Sequence, residues 1–428
     1  FPAASAGWRI SKERFMEDAD FVNELKLRAS WGITGQQDFG PYIWRTLYTT
    51  SDYAGDPSIV ISQLGNDRLK WEKTKQFDLG VDFSFFDYRL SGGLGYYQKD
   101  TEDAIFSAIT PGNTGFSSVL ANVGNTRNVG LELELMGDII QSTDFNWRMT
   151  LNVSRNSNKL TKINDDFKDD RGYVTGFGSG GTLREGSPIG LIYGYVFEKM
   201  FDNADEIQAL NAASPTGVYQ NAATSPGDLM FRDVSGPDGV PDGVVNTFDQ
   251  QIIGDVQPDF FGGLSSSMRY KGLTLSAFFT YAVGNDLEWF QQSRSINISG
   301  TGVGENKLTQ ILDAWTPENP SDKPRLVYGD PNQNSRISSY YVHDASYIRL
   351  KNLNIGYNFN RNQLERLGKL NIKEATIYLS AQNLLTLTKY PGADPEAANL
   401  FNNDISTGRD NNKFPVAKVL TVGLKVGF

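Results

Sequence analysis

With 428 residues the chain is too long for one small core, yet no stretch approaches the roughly eighteen consecutive apolar residues that a membrane-crossing helix needs. It has no cysteine and one histidine, His343, which removes disulfides and thiolate chemistry and leaves almost no material for polyhistidine zinc sites or Ser-His-Asp catalysis. A net charge of -10 argues against a nucleic-acid partner, while 43 glycines and 12% aromatic residues suit a strand-rich protein.

Residues 2–10 read as the end of a pattern already under way, the first of eleven predicted strands. The second, 25–33, sets Leu25, Leu27, Ala29, Trp31 and Ile33 against Lys26, Arg28, Ser30 and Gly32. The third and fourth form a hairpin over 77–97. Phe77, Leu79, Val81 and Phe83 share one face and Asp78, Gly80, Asp82 and Ser84 the other; on the return arm Leu90, Leu94 and Tyr96 oppose Ser91, Gly93 and Gly95. Strict alternation marks a strand between two environments. Arms of about nine residues or more are near the length that crosses a hydrocarbon core at a tilt. We therefore read the apolar face as meeting lipid and the polar face as meeting a wet lumen.

The fifth strand is 129–136, with Leu131, Leu133 and Leu135 against Glu132 and Glu134, and the sixth is 146–154, with Trp147, Met149, Leu151 and Val153 on its apolar side. A hairpin around Lys271-Gly272 joins 263–270 to 273–282. The strand at 347–359 changes phase near Lys351, which predicts a bulge. Segments 373–382 and 417–428 complete the set.

The connections separate two ends. Those after odd-numbered strands are short or modest: 11–24, 85–88, 137–145, 271–272 and 360–372. Those after even-numbered strands are long: 34–75, 98–128, 155–262, 283–346 and 383–416. Outer-membrane barrels have short periplasmic turns and long external loops. A soluble sandwich has no reason to place every long loop at one end. The expected fold is all-β, an antiparallel transmembrane barrel wall, with the segment 155–262 as a long extracellular loop and Phe428 on the periplasmic side. Eleven is odd, and an open sheet would leave two edges in lipid, so the pattern implies that the rest of the barrel lies on another segment or chain.

Several stretches resemble the SusC-like TonB-dependent outer-membrane transporters of Bacteroidetes: Leu25-Lys-Leu-Arg-Ala-Ser-Trp-Gly-Ile-Thr-Gly35, Leu69-Lys-Trp-Glu-Lys-Thr74, Thr114-Gly-Phe-Ser-Ser118, Asn128-Val-Gly-Leu-Glu-Leu-Glu134, Asp259-Phe-Phe-Gly-Gly263, Tyr347-Ile-Arg-Leu-Lys-Asn-Leu353 and the closing Val426-Gly-Phe428. They follow the family's order over nearly the whole chain. The resemblance implies a barrel of 22 strands around an N-terminal plug, with this chain as the C-terminal half. It implies uptake of large nutrients, glycans or peptides, with a SusD-like surface lipoprotein as lid and TonB supplying energy. A rival expectation is a barrel recruited as a structural subunit of an insertion or secretion machine, without import of its own. A soluble carbohydrate-binding sandwich is a third, and an enzyme has no constellation to stand on.

The stretch 238–249 resembles an EF-hand-type calcium loop. Asp238, Asp242, the Val244 carbonyl, Asn246 and Asp249 stand at positions 1, 5, 7, 9 and 12, and Gly243 at the turn position. Val240 removes one ligand, for which Asp233 could substitute. The competing reading is an acidic Gly/Pro loop without an ion. Magnesium fits less well because it demands stricter octahedral geometry. Glu132 and Glu134 project into the lumen, where they read as charge that hydrates the wall rather than a glycosidase pair. His343 reads as a rim loop residue. Trp71, Tyr96, Tyr97, Trp147 and Tyr281 read as interface-girdle aromatics, and Trp289 and Trp315 as loop aromatics that could stack on sugar or press on a lid. The last strand alternates through Leu424 and Val426 to a terminal Phe428, which resembles the sorting signal read by the outer-membrane insertion machinery.

Overall fold

Alternation of the kind just described produces one continuous sheet. A computed structural model describes residues 1–36, 40–110, 112–116, 118–169, 172–177, 181–298, 304–365, 372–396, 408–411 and 413–428. In it eleven strands form an antiparallel meander, each hydrogen-bonded to its neighbours in the chain. They are β1 (Ala3–Arg9), β2 (Val22–Gln36), β3 (Glu72–Phe85), β4 (Leu90–Ile109), β5 (Ser118–Gln141), β6 (Phe145–Ile163), β7 (Phe260–Tyr270), β8 (Leu273–Val283), β9 (Tyr347–Asn358), β10 (Glu374–Thr388) and β11 (Val419–Gly427).

The register joins the apolar positions into one surface. Trp31 lies opposite Phe77 and Leu27 opposite Val81. Val81 meets Leu94, Leu94 meets Leu133, and Leu133 meets Val153. Further along, Leu151, Leu264, Phe279, Leu350 and Leu385 form another such row. Among the described residues nothing covers this face: Leu94 is 48% exposed, Leu131 52% and Val422 74%. A surface this apolar and this bare belongs in a nonaqueous medium. The opposite face carries Asp78, Asp82, Glu132, Glu134, Asn152 and Ser154.

The expected slip at Lys351 is a bulge, where the register with both neighbouring strands shifts between Leu350 and Asn352 and between Phe278 and Phe279. The connections after β2, β6, β8 and β10 on one rim are long, whereas that after β4, residues 110–117, is shorter than 10–21 and 359–373 on the other rim. Two expected boundaries change. The excursion expected at 98–128 is mostly strand, since β4 runs to Ile109 and β5 starts at Ser118. The long loop expected at 155–262 begins after Ile163 and ends before Phe260. The reason is a second core beyond the bare stretch. Ala108, Ala121, Val123, Leu160 and Ile163 are buried together with Val174 and Leu183 of two short strands from the following connection. The ladder is irregular between Thr101 and Ala104, where Asp103 has a positive φ of 58°. That break shifts the side-chain phase and hides the continuation from a period-2 reading.

The long connections on that rim fold into a canopy. Strands Tyr173–Phe177, Gly181–Arg184, Leu191–Gly194 and Gln251–Asp255 make a small sheet. Helix α1 (Ala204–Ala213) starts at Asn203, whose side chain accepts from the Glu206 N–H at 2.9 Å. Its Ile207 joins Phe201, Tyr219, Leu229, Phe231, Val245, Ile296 and Tyr341 in the largest buried cluster. Thus the buried apolar clusters lie in the rim connections and at the rim ends of β4–β6, while the bare stretch of the sheet has none on its apolar side.

Candidate functional site

Two features of the polar side could act on something that passes or docks. One is the wall itself; the other is the way the canopy is fastened over it.

On the wall, Arg28 of β2 donates to Asp82 of β3 at 3.2 Å. Glu132 and Glu134 of β5 lie opposite Ser154 and Asn152 of β6. These groups line a hollow of about 390 Å³ floored by glycines of β4. Tyr97, expected in the interface girdle, belongs to this face: it pairs with Asp78 rather than with Leu79, crosses Gly130 and donates to Asn156 at 2.9 Å. Tyr96 stays on the apolar face opposite Leu79. Trp147 donates to Ser266 at 3.1 Å and Tyr281 to the Asn152 carbonyl at 2.9 Å, so each ring on the apolar face has its polar atom satisfied within the sheet. Trp71 is exposed next to β3.

The canopy is fastened by buried ion pairs. Arg349 of β9 is 2% exposed. Its guanidinium reaches Glu396, Asp394 at 2.5 Å and the Thr386 hydroxyl at 2.9 Å. Lys351 and Tyr347 also bond Glu396, at 2.7 and 2.8 Å. Asp394 in turn accepts from the Val416 N–H at 3.2 Å, so the segment after β10 is tied at both its ends. Burial alone would push the Asp394 carboxyl up, but Arg349 and the two backbone donors outweigh it and hold it below the ordinary range.

A second fastening pairs Arg409 with Glu288 at 3.1 Å, while the Arg409 guanidinium lies 3.6 Å over the Phe290 ring. Burial pushes the Glu288 carboxyl up to about 7 against the pull of Arg409. Tyr390 donates to Asp410 at 2.7 Å beside it. A third fastening is the fully buried Asp228, held by two bonds from Arg325 at 2.8 and 2.9 Å and one from Asn334 at 2.9 Å. It locks the connection after β6 to the connection after β8.

His343 lies in the connection just before β9, half-buried, with Nε2 3.0 Å from the Gln292 amide oxygen and its ring in a triangle with those of Trp289 and Tyr390; burial lowers its basicity. Trp289 is buried in the same cluster, so it presents no face to a sugar or a lid. Trp315 packs across Gly227, whose Cβ, if present, would lie 2.3 Å from the indole.

In the expected calcium loop the carboxylates are turned toward backbone donors. Asp249 accepts from Val234 and Ser235 at 2.8 and 3.1 Å and from Asn246 at 2.7 Å. Asp242 accepts from Val244 at 3.0 Å, and Asp233 from Gly243 at 2.6 Å. Among the described residues no three acidic or histidine side chains are grouped to hold a metal. At the far edge, Leu424 lies opposite Ile377 and Val426 opposite Ala375, with Phe428 exposed after β11.

The ion-pair residues Arg349, Asp394, Glu396, Glu288, Arg409, Asp228 and Arg325 were not foreseeable as partners, because each pair joins distant segments. The one local signal was a charged pair, Arg349 and Lys351, straddling apolar Leu350 where the phase slips.

Comparison with known proteins agrees with this architecture. Residues 1–384 match the family described as TonB dependent receptor-like, beta-barrel. TonB-dependent receptor P3 of Formosa agariphila is 35% identical over the whole chain, which covers 42% of that protein. TonB-dependent receptor SusC of Bacteroides thetaiotaomicron is 29% identical, again over the whole chain and 40% of that protein. A solved structure of the RagAB peptide transporter superposes with a TM-score of 0.78 at 27% identity, covering the whole chain and 43% of its counterpart. The chain thus spans about two-fifths of the length of such relatives.

Proposed function

Since this chain belongs to the TonB-dependent receptor β-barrel family, we propose that it forms barrel wall and rim loops of an outer-membrane importer of the SusC type, for large nutrients such as glycans or peptides. The observation that carries the reading is the bare apolar face of an eleven-stranded meander with a polar opposite face. In this reading that face meets outer-membrane lipid, and the rim with long connections is extracellular. β1 and β11 each pair on one side only within this chain; strands from outside it, the other half of the barrel, close both edges. The canopy offers a folded platform for a SusD-like lipoprotein, and TonB energises uptake through a plug segment.

Likeness to a peptide transporter favours peptides among the cargoes. The test is uptake of labelled peptides and oligosaccharides by cells with the full-length gene deleted and restored. Energy-dependent uptake that follows the gene supports import. Unchanged uptake, with the protein held in an insertion or secretion complex, overturns it. Calcium at Asp238, Asp242, Val244, Asn246 and Asp249 belongs to this proposal as a ligand that would displace the backbone bonds of Asp242 and Asp249. Terbium luminescence that calcium competes away, and that D242N with D249N abolishes, supports it; no luminescence removes it.

A further inference from the structure

The bare apolar face of the sheet ends in charge at the canopy rim. On β6 the face of Leu151 and Val153 continues through Arg155, Ser157 and Lys159, all exposed. Asn156 and Asn158 turn the other way and bond Asn128. The register sets Arg155 opposite Leu131, Ser157 opposite Val129 and Lys159 opposite Arg127 of β5. Arg127 in turn faces Asp100 of β4, and Asp100 faces Lys75 of β3. A chain whose net charge is -10 thus gathers cations on the face that is otherwise apolar.

Part of this charge is balanced within the sheet. Arg127 pairs with Asp100 at 2.5 Å and Lys75 with Glu102 at 2.6 Å. Arg155 and Lys159 have no hydrogen bond or ion pair among the described residues. Like charges directly opposite each other destabilise a sheet, so Lys159 across from Arg127 has no reason within this chain. Snorkelling explains one lysine at the edge of an apolar belt. It does not explain setting that lysine against an arginine, with a second arginine two residues away on the same face. Neighbouring strands lie about 4.8 Å apart and alternate residues of one strand about 6.8 Å apart. Long cationic side chains so spaced can converge on one oxyanion, which relieves their repulsion. On the apolar side of these cations lie Leu131, Leu133 and Val153, with Leu131 open. The ligand is therefore amphiphilic. Arg155 and Lys159 leave about two positive charges unbalanced, which matches a phosphomonoester, at about -1.5 to -2 near pH 7, better than a singly charged phosphodiester.

We propose that Arg127, Arg155 and Lys159 form a fixed site for the phosphomonoester of a lipid in the outer leaflet, its acyl chains lying along Leu131, Leu133 and Val153. The proposal rests on the barrel reading, in which this face meets outer-membrane lipid and the canopy rim is extracellular.

The test titrates the full-length protein in detergent with diphosphoryl lipid A, with the same lipid stripped of its phosphates, and with phosphatidylglycerol. Bound lipid is read by native mass spectrometry. The expected result is one lipid A bound about tenfold more tightly than either other lipid. R155Q with K159Q should remove that preference. K99Q should keep it, because Lys99 lies on the opposite face, across from Asn128. If the double variant fails to fold, K159Q alone should still cut the preference about threefold. Equal binding of the three lipids, an unchanged preference in the folded variant, the same loss in K99Q, or displacement of lipid A by an equal concentration of inorganic phosphate overturns the proposal. Heat-modifiable mobility of the unsubstituted protein checks the barrel separately, so a folded barrel without the preference sinks this inference alone.

Discussion

Arg349 is a full charge almost out of contact with water, and Asp394 and Glu396 make its position tolerable. Removing one partner of a buried pair leaves the others uncompensated, at a cost of roughly 3–5 kcal/mol. R349A should therefore release the segment after β10, read as at least a hundredfold faster proteolysis within 389–418, with heat-modifiable mobility of the barrel retained. Glu288 makes a pH prediction. Its folded value, about 7, lies above the ordinary 4.5, so its contribution is intact below the ordinary value and is lost as pH rises through 7. Asp286, also raised by burial, acts with the same sign. His343 acts in the opposite sense, and only as pH falls below its ordinary 6.5. Amide exchange at 286–288 and 408–410 should accelerate between pH 6.5 and 8 beyond its intrinsic rise, and E288Q should flatten that excess. None of these partners was readable along the chain, because burial of a charge is decided by segments far apart in sequence.

Strands here are held by devices that alternate with the pleat. Tyr97 crosses Gly130, Tyr281 reaches over Gly262 and Tyr378 covers Gly423, each tyrosine next to a glycine of a neighbouring strand. The ring takes the space a second side chain would fill. G423A forces Tyr378 aside, with an expected loss of about 1–3 kcal/mol, measurable as a lower midpoint of heat-modifiable unfolding. Beyond the bare stretch, V123A and L160A open cavities in the small core under β4–β6, each costing about 2–4 kcal/mol. The expected readout is protease cutting within 101–127 while the rest of the sheet resists. All eleven strands were legible from alternation, and so was the bulge at Lys351. The extension of β4–β6 was not, because the ladder breaks at Asp103 and the continuing strands are marked by alanines. The face of Tyr97 is legible from its phase, since it alternates with Tyr96 and shares the side of Gly93 and Gly95.

At the scale of the whole molecule, two solvents divide the chain. Apolar side chains of the sheet remain bare, while the rim connections bury theirs as a water-soluble protein does. An arginine at the middle of a lipid-facing strand costs roughly 2–4 kcal/mol in a bilayer. L79R and L131R should therefore lower the yield of inserted, heat-modifiable protein, whereas D82N on the polar face should leave that yield nearly unchanged. Four of the five connections expected to be long are so, and they mark this division in the sequence; the interlocking of the canopy is invisible there because its contacts join three separate connections.

The central claim is that one face of the sheet meets hydrocarbon and the other meets water. The chain has no cysteine, so single cysteines can be introduced one at a time at 77–83 in the full-length protein and spin-labelled in bilayers. Collision with oxygen should peak at 77, 79, 81 and 83, and collision with a water-soluble nickel chelate at 78, 80 and 82, with a strict period of two. Equal access of both reagents along the strand, or chelate access at 79 and 81, would contradict the account.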